Sequence, residues 1–239
     1  AAALAPHDAE AVKRFYREVA VTPDLGIALD ARPVKTPARV PLSLPNRALA
    51  DAIAAEWFAQ GDDILPRTMP LTGLANAAID RVMPDPAAFA ASLAAYADAD
   101  ALLYRADGPG DLVRRQAAAW NPLLDWAERR YGVEFVPVAG VMHRPQPPET
   151  LAALGAAIAA FTPFRLVAMQ PLVTISGSLV AALALAAGAF DEDTVWAATA
   201  LDELYQAEKW GEDDLATQAR ANRRADFAAA ARFLALAHE

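Results

Sequence analysis

The sequence predicts an α+β fold, with a small β-containing N-terminal domain followed by a larger, mostly helical C-terminal domain. Prolines recur every fourth residue from Pro33 to Pro45, which keeps that stretch extended and free of helix. From Leu71 onward, apolar residues, mostly alanine, follow helical patterns. A proline-punctuated link over residues 62–70 separates the two patterns. We therefore expect domains at residues 1–66 and 67–239.

The N-terminal domain is expected to start with a short helix over residues 8–18 and to continue as a β-hairpin. Leu25, Ile27 and Leu29 alternate with other residues, and Asp30-Ala31 interrupts the alternation. Such an interruption between two extended segments is typical of a hairpin turn.

A helix capped by Asn46 is expected next. Leu49, Ile53 and Trp57 recur in it at i, i+4 and i+8, so they share one face. Trp57 is therefore assigned a structural role in the core.

The C-terminal domain is expected to contain a series of helices separated by turns. Pro122 should bend or restart the second long helix, because proline lacks the N–H that a helix interior needs. A short strand is expected over residues 132–138, and the state of residues 164–175 is undecided. The expected helices cover residues 71–78, 84–103, 111–131, 149–161, 178–189, 191–211 and 215–236.

Composition limits the possible functions. The chain of 239 residues has a net charge of −9 and no basic stripe, which argues against nucleic acid and anionic membranes as partners. It has no cysteine, so disulfides and thiolate chemistry are excluded. Its longest apolar run, residues 179–190, is too short to cross a bilayer core of about 30 Å. No signal peptide is recognised at the start, and we expect a soluble protein.

Nearly all of the net charge lies in one segment, residues 191–216. It contains nine carboxylates and one cation, Lys209, a balance of −8. Asp191 is a suitable helix cap and Gly211 a suitable helix end. We therefore expect an acidic helix near the C-terminus.

A continuous helix would give this segment two distinct faces. Ala197, Leu201, Leu204 and Glu208 would form a core stripe. Glu203 would lie on the adjacent strip, with a tryptophan two turns away on either side. A carboxylate framed by aromatic surface could anchor a cationic or amide group of a partner. The partner-facing residues would then be Trp196, Glu203, Tyr205, Glu208 and Trp210. Alternatively, Glu203 and Glu208 pair with the arginines Arg220, Arg223 and Arg224.

Other chemical signals are weak. The three histidines, His7, His143 and His238, are far apart in sequence, so we expect no metal site. Ser176-Gly177-Ser178 lacks the further glycine and lysine of a phosphate loop and is better explained as a helix cap with Ser176 as acceptor. We expect no cofactor. Asp98 with Asp100, or Glu203 with Glu208, could form an acid–base pair, but no substrate groove is visible in the sequence, so ordinary solvation or salt bridging is the preferred explanation.

Four blocks of the sequence closely resemble the F1-ATPase assembly chaperone family. The resemblance runs in the same order from about Phe15 to Phe233, and Ala31 departs from it because the family usually has glycine there. The blocks are Leu29-Asp-Ala-Arg-Pro-Val-Lys-Thr-Pro37, Ala55-Glu-Trp-Phe-Ala-Gln60, Met69-Pro-Leu-Thr-Gly-Leu-Ala-Asn-Ala-Ala-Ile-Asp80 and Leu201-Asp-Glu-Leu-Tyr-Gln-Ala-Glu-Lys-Trp-Gly211.

The resemblance implies a binding protein and not an enzyme. Members hold the free α subunit of F1, in mitochondria or in bacteria, until the β subunit replaces them. The acidic residue regarded as important for function falls on Glu203, and the tryptophan whose loss harms members falls on Trp57. A monomeric protein of the bacterial cytoplasm is expected, with relatives in the mitochondrial matrix. The alternative function is a small hydrolase that uses carboxylates of the acidic helix.

Overall fold

The computed structural model describes residues 12–238, and its small sheets lie mainly in the N-terminal part. Strands β2 (Val19–Val21), β3 (Ile27–Leu29) and β4 (Arg32–Pro33) form an antiparallel sheet in that order. Val19 lies opposite Leu29, and Leu29 lies opposite Arg32. The expected hairpin is thus the second half of a three-stranded meander.

The helix expected over residues 8–18 is not formed in its described part. Val12–Lys13 is instead strand β1, and it pairs antiparallel with β5 (Asp63–Ile64). Arg14 Nη1 donates to the Gln60 carbonyl at 2.5 Å, and Tyr16 Oη donates to the Trp57 carbonyl at 2.6 Å. These long-range partners fix the segment as extended chain, and residues 8–11 lie outside the described part.

Helix α1 (Arg47–Phe58) begins as the sequence predicts. The Asn46 side chain accepts a hydrogen bond from the Leu49 N–H at 2.9 Å, which satisfies a backbone donor of the first turn. Leu49 and Ile53 are fully buried.

Nine helices follow α1 in the described chain. Short 3₁₀ segments occur at Pro66–Thr68, Ala95–Ala99 and Ala101–Leu103, and a π-helical turn, Ala78–Val82, extends α2. The helices are α2 (Pro70–Ala77), α3 (Pro86–Ala94), α4 (Gly110–Tyr131), α5 (Pro148–Ala159), α6 (Pro163–Ser176), α7 (Leu179–Ala186), α8 (Glu192–Thr199), α9 (Leu201–Trp210) and α10 (Asp214–Leu236).

Two prolines lie inside helices without ending them. α4 contains Pro122 and does not restart there. The undecided segment 164–175 belongs to α6, which contains Pro171. α6 packs against α2, α3, α7 and α10 and buries residues on every side, so tertiary contacts compensate for the hydrogen bond that proline cannot make.

The strand expected over residues 132–138 is wrong except at its last residue. The strand in this region is β7 (Val138–Ala139), which pairs parallel with β6 (Tyr104–Arg105). The α+β class is confirmed. One apolar core includes Leu49 and Ile53 of α1 together with the buried face of α6. The division at residue 66 stays a proposal, and across it the two parts share this core.

Candidate partner-binding surface

The acidic segment forms two helices, α8 and α9, and not one. Asp191 caps α8 by accepting the Thr194 N–H at 2.7 Å, as predicted. The chain then turns at Ala200, with φ −89° and ψ 1°. The Ala198 carbonyl accepts a hydrogen bond from the Trp120 indole at 2.7 Å, where a continuous helix would bond it to residue 202. The prediction of one continuous helix is therefore wrong, although Ala197, Leu201, Leu204 and Glu208 still lie along one side.

Trp196 faces the interior of the protein. Its ring lies 5.6 Å from that of Phe227, which is fully buried, and the Arg224 guanidinium lies 5.5 Å from the Trp196 ring centroid. Trp196 thus stabilises the packing of α8 on α10. Trp196 and the exposed Trp210 therefore do not form one surface.

Glu203 lies at the surface of α9 and pairs with arginines of α10. Its carboxylate contacts Arg220 at 3.6 Å and forms a shorter contact with Arg223. The Glu203 side chain is still 38% exposed. Glu203 therefore pairs with arginines, as the alternative interpretation expects. Its carboxylate nevertheless stays accessible to a partner.

Glu208 pairs with α4 and not with the arginine cluster of α10. Arg115 Nη2 donates to Glu208 Oε1 at 3.1 Å, and hydrogen bonding from this guanidinium lowers the pKa of Glu208. Glu208 and Glu203 line different cavities, so they do not converge as an acid–base pair.

Tyr205 is buried, with 4% of its surface exposed, and joins α9 to α4. Its hydroxyl donates to Asp111 Oδ1 at 2.9 Å. This hydrogen bond lowers the pKa of Asp111, whereas burial is the main cause that raises the pKa of Tyr205. The ring itself is not available at the surface, so Tyr205 would act on a partner only by positioning α9.

A cleft between α9 and α10 contains the accessible part of the site. We call it the acidic cleft; its volume is about 240 Å³. Trp210 is 77% exposed at its wall. The residues of the cleft that bear on its chemistry are Glu203, Gln206, Trp210, Glu212, Asp213 and Arg220. Three carboxylates, one arginine and an exposed indole suit a cationic or amide group better than an anion.

The leucines of the predicted core stripe also lie differently from expectation. Leu204 is 40% exposed. With Leu201 and Ala197 it lines an open groove between α4 and the α8–α9 pair. This stripe on α9 is therefore only partly buried.

Asp98 and Asp100 do not form an acid–base pair. Asp98 lies 3.3 Å from His143 Nε2 and accepts the Gln146 N–H. Asp100 is fully buried and accepts the N–H groups of Leu102 at 3.1 Å and Val180 at 3.0 Å. Burial raises the pKa of Asp100 to about 6. Both carboxylates hold the fold together.

Ser178, and not Ser176, caps α7. Ser178 Oγ accepts the Ala181 N–H at 2.9 Å, while Ser176 Oγ accepts the N–H of Ser178 at 3.1 Å. Within residues 12–238, no three histidine or acidic side chains are grouped in a way that could hold a metal ion.

Trp57 lies where the predicted core face of α1 meets the β-strands. It packs against Tyr16, with ring centroids 5.8 Å apart, and against both apolar clusters. The preceding residue, Glu56, accepts hydrogen bonds from the N–H groups of Leu71 at 2.8 Å and Thr72 at 2.7 Å. Glu56 and Trp57 thus bind the N-terminal part to the first turn of α2.

Several residues that shape the site were missed by reasoning from the sequence. Arg115 and Asp111 on α4 hold one side of α9, although they lie 93 and 94 residues from their partners in α9. Trp120 sets the break between α8 and α9 from a distance of 78 residues. Helical periodicity reports only neighbours within one element, so it carries no signal for such contacts.

Comparisons with known proteins identify similar chains. Residues 13–128 match the family model described as ATP12 chaperone protein. The mitochondrial protein atp12 of Schizosaccharomyces pombe is 26% identical over 229 residues, which cover 87% of this chain and 77% of the relative.

Two solved structures resemble the whole fold. The crystal structure of Atp12 from Paracoccus denitrificans is 42% identical, with a TM-score of 0.90, and the match covers 95% of this chain and 99% of that one. A proposed chaperone from Agrobacterium tumefaciens is 41% identical, with a TM-score of 0.88, and the match covers 93% and 85% of the respective chains. In the described residues, no helix combines the length and apolar character needed to cross a bilayer.

Proposed function

The chain belongs to the ATP12 chaperone family, whose role is assembly of the F1 part of ATP synthase, and from that premise we propose that it binds the unassembled α subunit. The chain holds this subunit until the β subunit displaces it. An unassembled subunit exposes apolar surface meant for its neighbour, which favours aggregation until that surface is covered. Binding and release, without chemistry on the client, describe the proposed activity.

The exposed acidic cleft is the observation that carries this proposal. Around α8, α9 and the start of α10, ten carboxylates, including Asp111 of α4, accompany five cationic side chains, which leaves a balance of −5. Glu203 and Trp210 are accessible in the cleft, and Glu212 is more exposed than Glu203. The cations are Arg115, Lys209, Arg220, Arg223 and Arg224.

Such a cleft suits reversible binding. Partly exposed charged contacts contribute more to recognition and to the rate of encounter than to a large, permanent binding energy. A client that must be released to another subunit needs an interface of this kind and not a large, fully apolar one. We further propose that the chain works as a monomer in the bacterial cytoplasm.

Co-expression tests the proposal. The chain, carrying an affinity tag, is produced with the F1 α subunit alone, with the β subunit alone, or with both. We expect a soluble complex with α alone, no complex with β alone, and loss of α from the complex when β is present. Equal recovery of α with and without the chain, or a stable complex that β does not displace, would contradict the proposal.

A further inference from the structure

An open apolar groove on the opposite side of α9 from the acidic cleft has no role in the function proposed so far. Its volume is about 470 Å³. We call it the α4–α9 groove. The apolar residues that line it are Ala118, Ala119, Ala197, Leu201 and Leu204.

The groove leaves apolar surface in contact with water. Leu204 is 40% exposed, and Val113, further up α4, is 37% exposed. Burying a leucine side chain is worth roughly 1.5–3 kcal/mol, so leaving it half open forgoes part of that stabilisation. A mostly apolar groove of this volume is typical of a binding site.

The walls of the groove suit close approach by an uncharged chain. Three of the lining residues are alanines, whose methyl groups let another backbone come near. The two charged residues at the rim, Arg115 and Glu208, are hydrogen-bonded to each other at 3.1 Å. The rim therefore carries no net charge, so a charged group gains nothing there, whereas an apolar segment loses water from its surface.

The groove and the acidic cleft lie on either side of α9. Glu203 and Ala207 line the cleft, and the residues directly after them, Leu204 and Glu208, line the groove. A partner surface that lies across α9 therefore meets charged contacts on one side and the apolar groove on the other.

We propose that the α4–α9 groove receives an uncharged apolar segment of the same client subunit whose polar contacts lie in the acidic cleft. This inference rests on the proposed function, because it takes the F1 α subunit as the client. The groove supplies the apolar area that the cleft lacks.

The absence of cysteine from the chain permits a direct test. Ala118→Cys and Ala197→Cys each place one thiol in the groove, at residues that are exposed. Ala87→Cys, on an exposed position of α3, is the matched control. Each variant is labelled with a maleimide, alone and in complex with the F1 α subunit, and labelling of this chain is followed by mass spectrometry.

We expect labelling of the two groove thiols to slow at least ~10-fold in the complex, while the Ala87→Cys control is unchanged. A complex that forms normally but leaves both groove thiols as reactive as in the free chain overturns this inference and leaves the proposed function intact. Failure of every variant and of the unaltered chain to bind α overturns both.

A second variant tests the energetic role of the groove. Leu204→Asn should weaken binding of α about 10-fold, because it places an amide where apolar contact is needed. Met83 is an apolar residue outside the groove and is 43% exposed. The control variant Met83→Asn should therefore bind α as the unaltered chain does. Equal affinity of the two variants would contradict the proposal, and thermal unfolding shows that both are folded.

Discussion

At the scale of single residues, the turn between β3 and β4 shows how the chain accommodates an unfavourable side chain. Asp30 and Ala31 both have positive φ, 47° and 64°, in a two-residue loop of the kind called type I′. The Asp30 carboxylate accepts the N–H groups of Arg17 and Glu18, and these bonds lower the pKa of Asp30. Ala31 therefore adopts the expected turn although glycine would fit it better.

Ala31→Gly should raise the free energy of unfolding by about 0.5–1 kcal/mol. The left-handed conformation costs alanine about 1–2 kcal/mol, and the extra freedom of glycine in the unfolded chain offsets about 0.4–1 kcal/mol of that gain. Urea unfolding measures the change. Ala91→Gly, in an exposed turn of α3, should instead destabilise the protein by about 1 kcal/mol. Equal destabilisation by both variants would contradict this account of the turn.

Trp57 lies on the face of α1 that its spacing predicts, and its structural role stays a prediction. Its spacing from Leu49 and Ile53 places it on the buried face of α1, and the structure adds its contact with Tyr16. Its indole nitrogen is buried and forms no hydrogen bond with the described residues. Its contribution is therefore packing.

Trp57→Arg should destabilise the protein by about 3 kcal/mol or more, because it introduces a charge beside the core and removes aromatic contacts. Trp57→Phe should cost only about 1–2 kcal/mol, since no hydrogen bond of the indole is lost. Thermal unfolding followed by circular dichroism compares the two. A Trp57→Arg protein that melts with the unaltered chain would show that Trp57 serves a partner and not the fold.

At the scale of elements, the buried Asp100 joins the 3₁₀ turn Ala101–Leu103 to the first turn of α7. It caps the 3₁₀ turn by accepting the Leu102 N–H, and its other carboxylate oxygen accepts the Val180 N–H in α7. The helical periodicity of the sequence does not distinguish Asp100 from the accessible Asp98. The reason is that Val180, which donates to Asp100, lies 80 residues away in the sequence.

The pKa of Asp100 makes stability depend on pH. Its folded-state value of about 6 is above the ordinary value of 3.8, so the folded protein binds this proton more tightly than the unfolded chain. Protonated Asp100 therefore adds to the free energy of unfolding. This stabilisation is fully present below about pH 4 and is lost as the pH rises through about 6. A pKa difference of about two units between the folded and unfolded states corresponds to about 3 kcal/mol of stability.

Asp100→Asn removes this titration. The variant should be less stable at pH 4, because one of the two backbone N–H groups then faces an amide NH₂. Its deficit relative to the unaltered chain should shrink by up to about 3 kcal/mol between pH 4 and pH 7. Urea unfolding at a series of pH values measures it. A constant deficit would show that hydrogen bonding to the carboxylate offsets its burial.

The break between α8 and α9 marks the limit of sequence reasoning for the site. The caps, the charge and the end of the acidic segment follow from local residue types, and these were predicted. The orientation of α9 depends on Trp120, Asp111 and Arg115 of α4. Because of those contacts, Tyr205 is buried and Leu204 is partly exposed, whereas the sequence assigned Tyr205 to the partner surface and Leu204 to the core.

At the scale of the whole molecule, three of the four blocks quoted for the family resemblance contact one another. Glu56 caps α2, and Asp80 accepts hydrogen bonds from Thr36 at 2.6 Å and from the N–H of Ala38 at 3.0 Å. These contacts cross the division proposed at residue 66. The sequence predicts the α+β class and most of the C-terminal helices, but not that carboxylates of these blocks fasten the N-terminal part to the helical part.

The fourth block lies apart from these contacts and forms the proposed client surface. α9 separates the acidic cleft from the α4–α9 groove, and each is held by a different helix. A client bound across α9 would thus be recognised by charge on one side and by apolar contact on the other.

The most direct measurement is the affinity of the F1 α subunit for Glu203→Lys and for Asp193→Lys. Each replaces a carboxylate that pairs with an arginine, but Asp193 lies on α8, outside the cleft, and its side chain is 91% exposed. If the cleft binds the client, Glu203→Lys should weaken binding at least ~10-fold, about 1.4 kcal/mol, and Asp193→Lys less than ~2-fold. Equal affinity of the two folded variants would contradict the account.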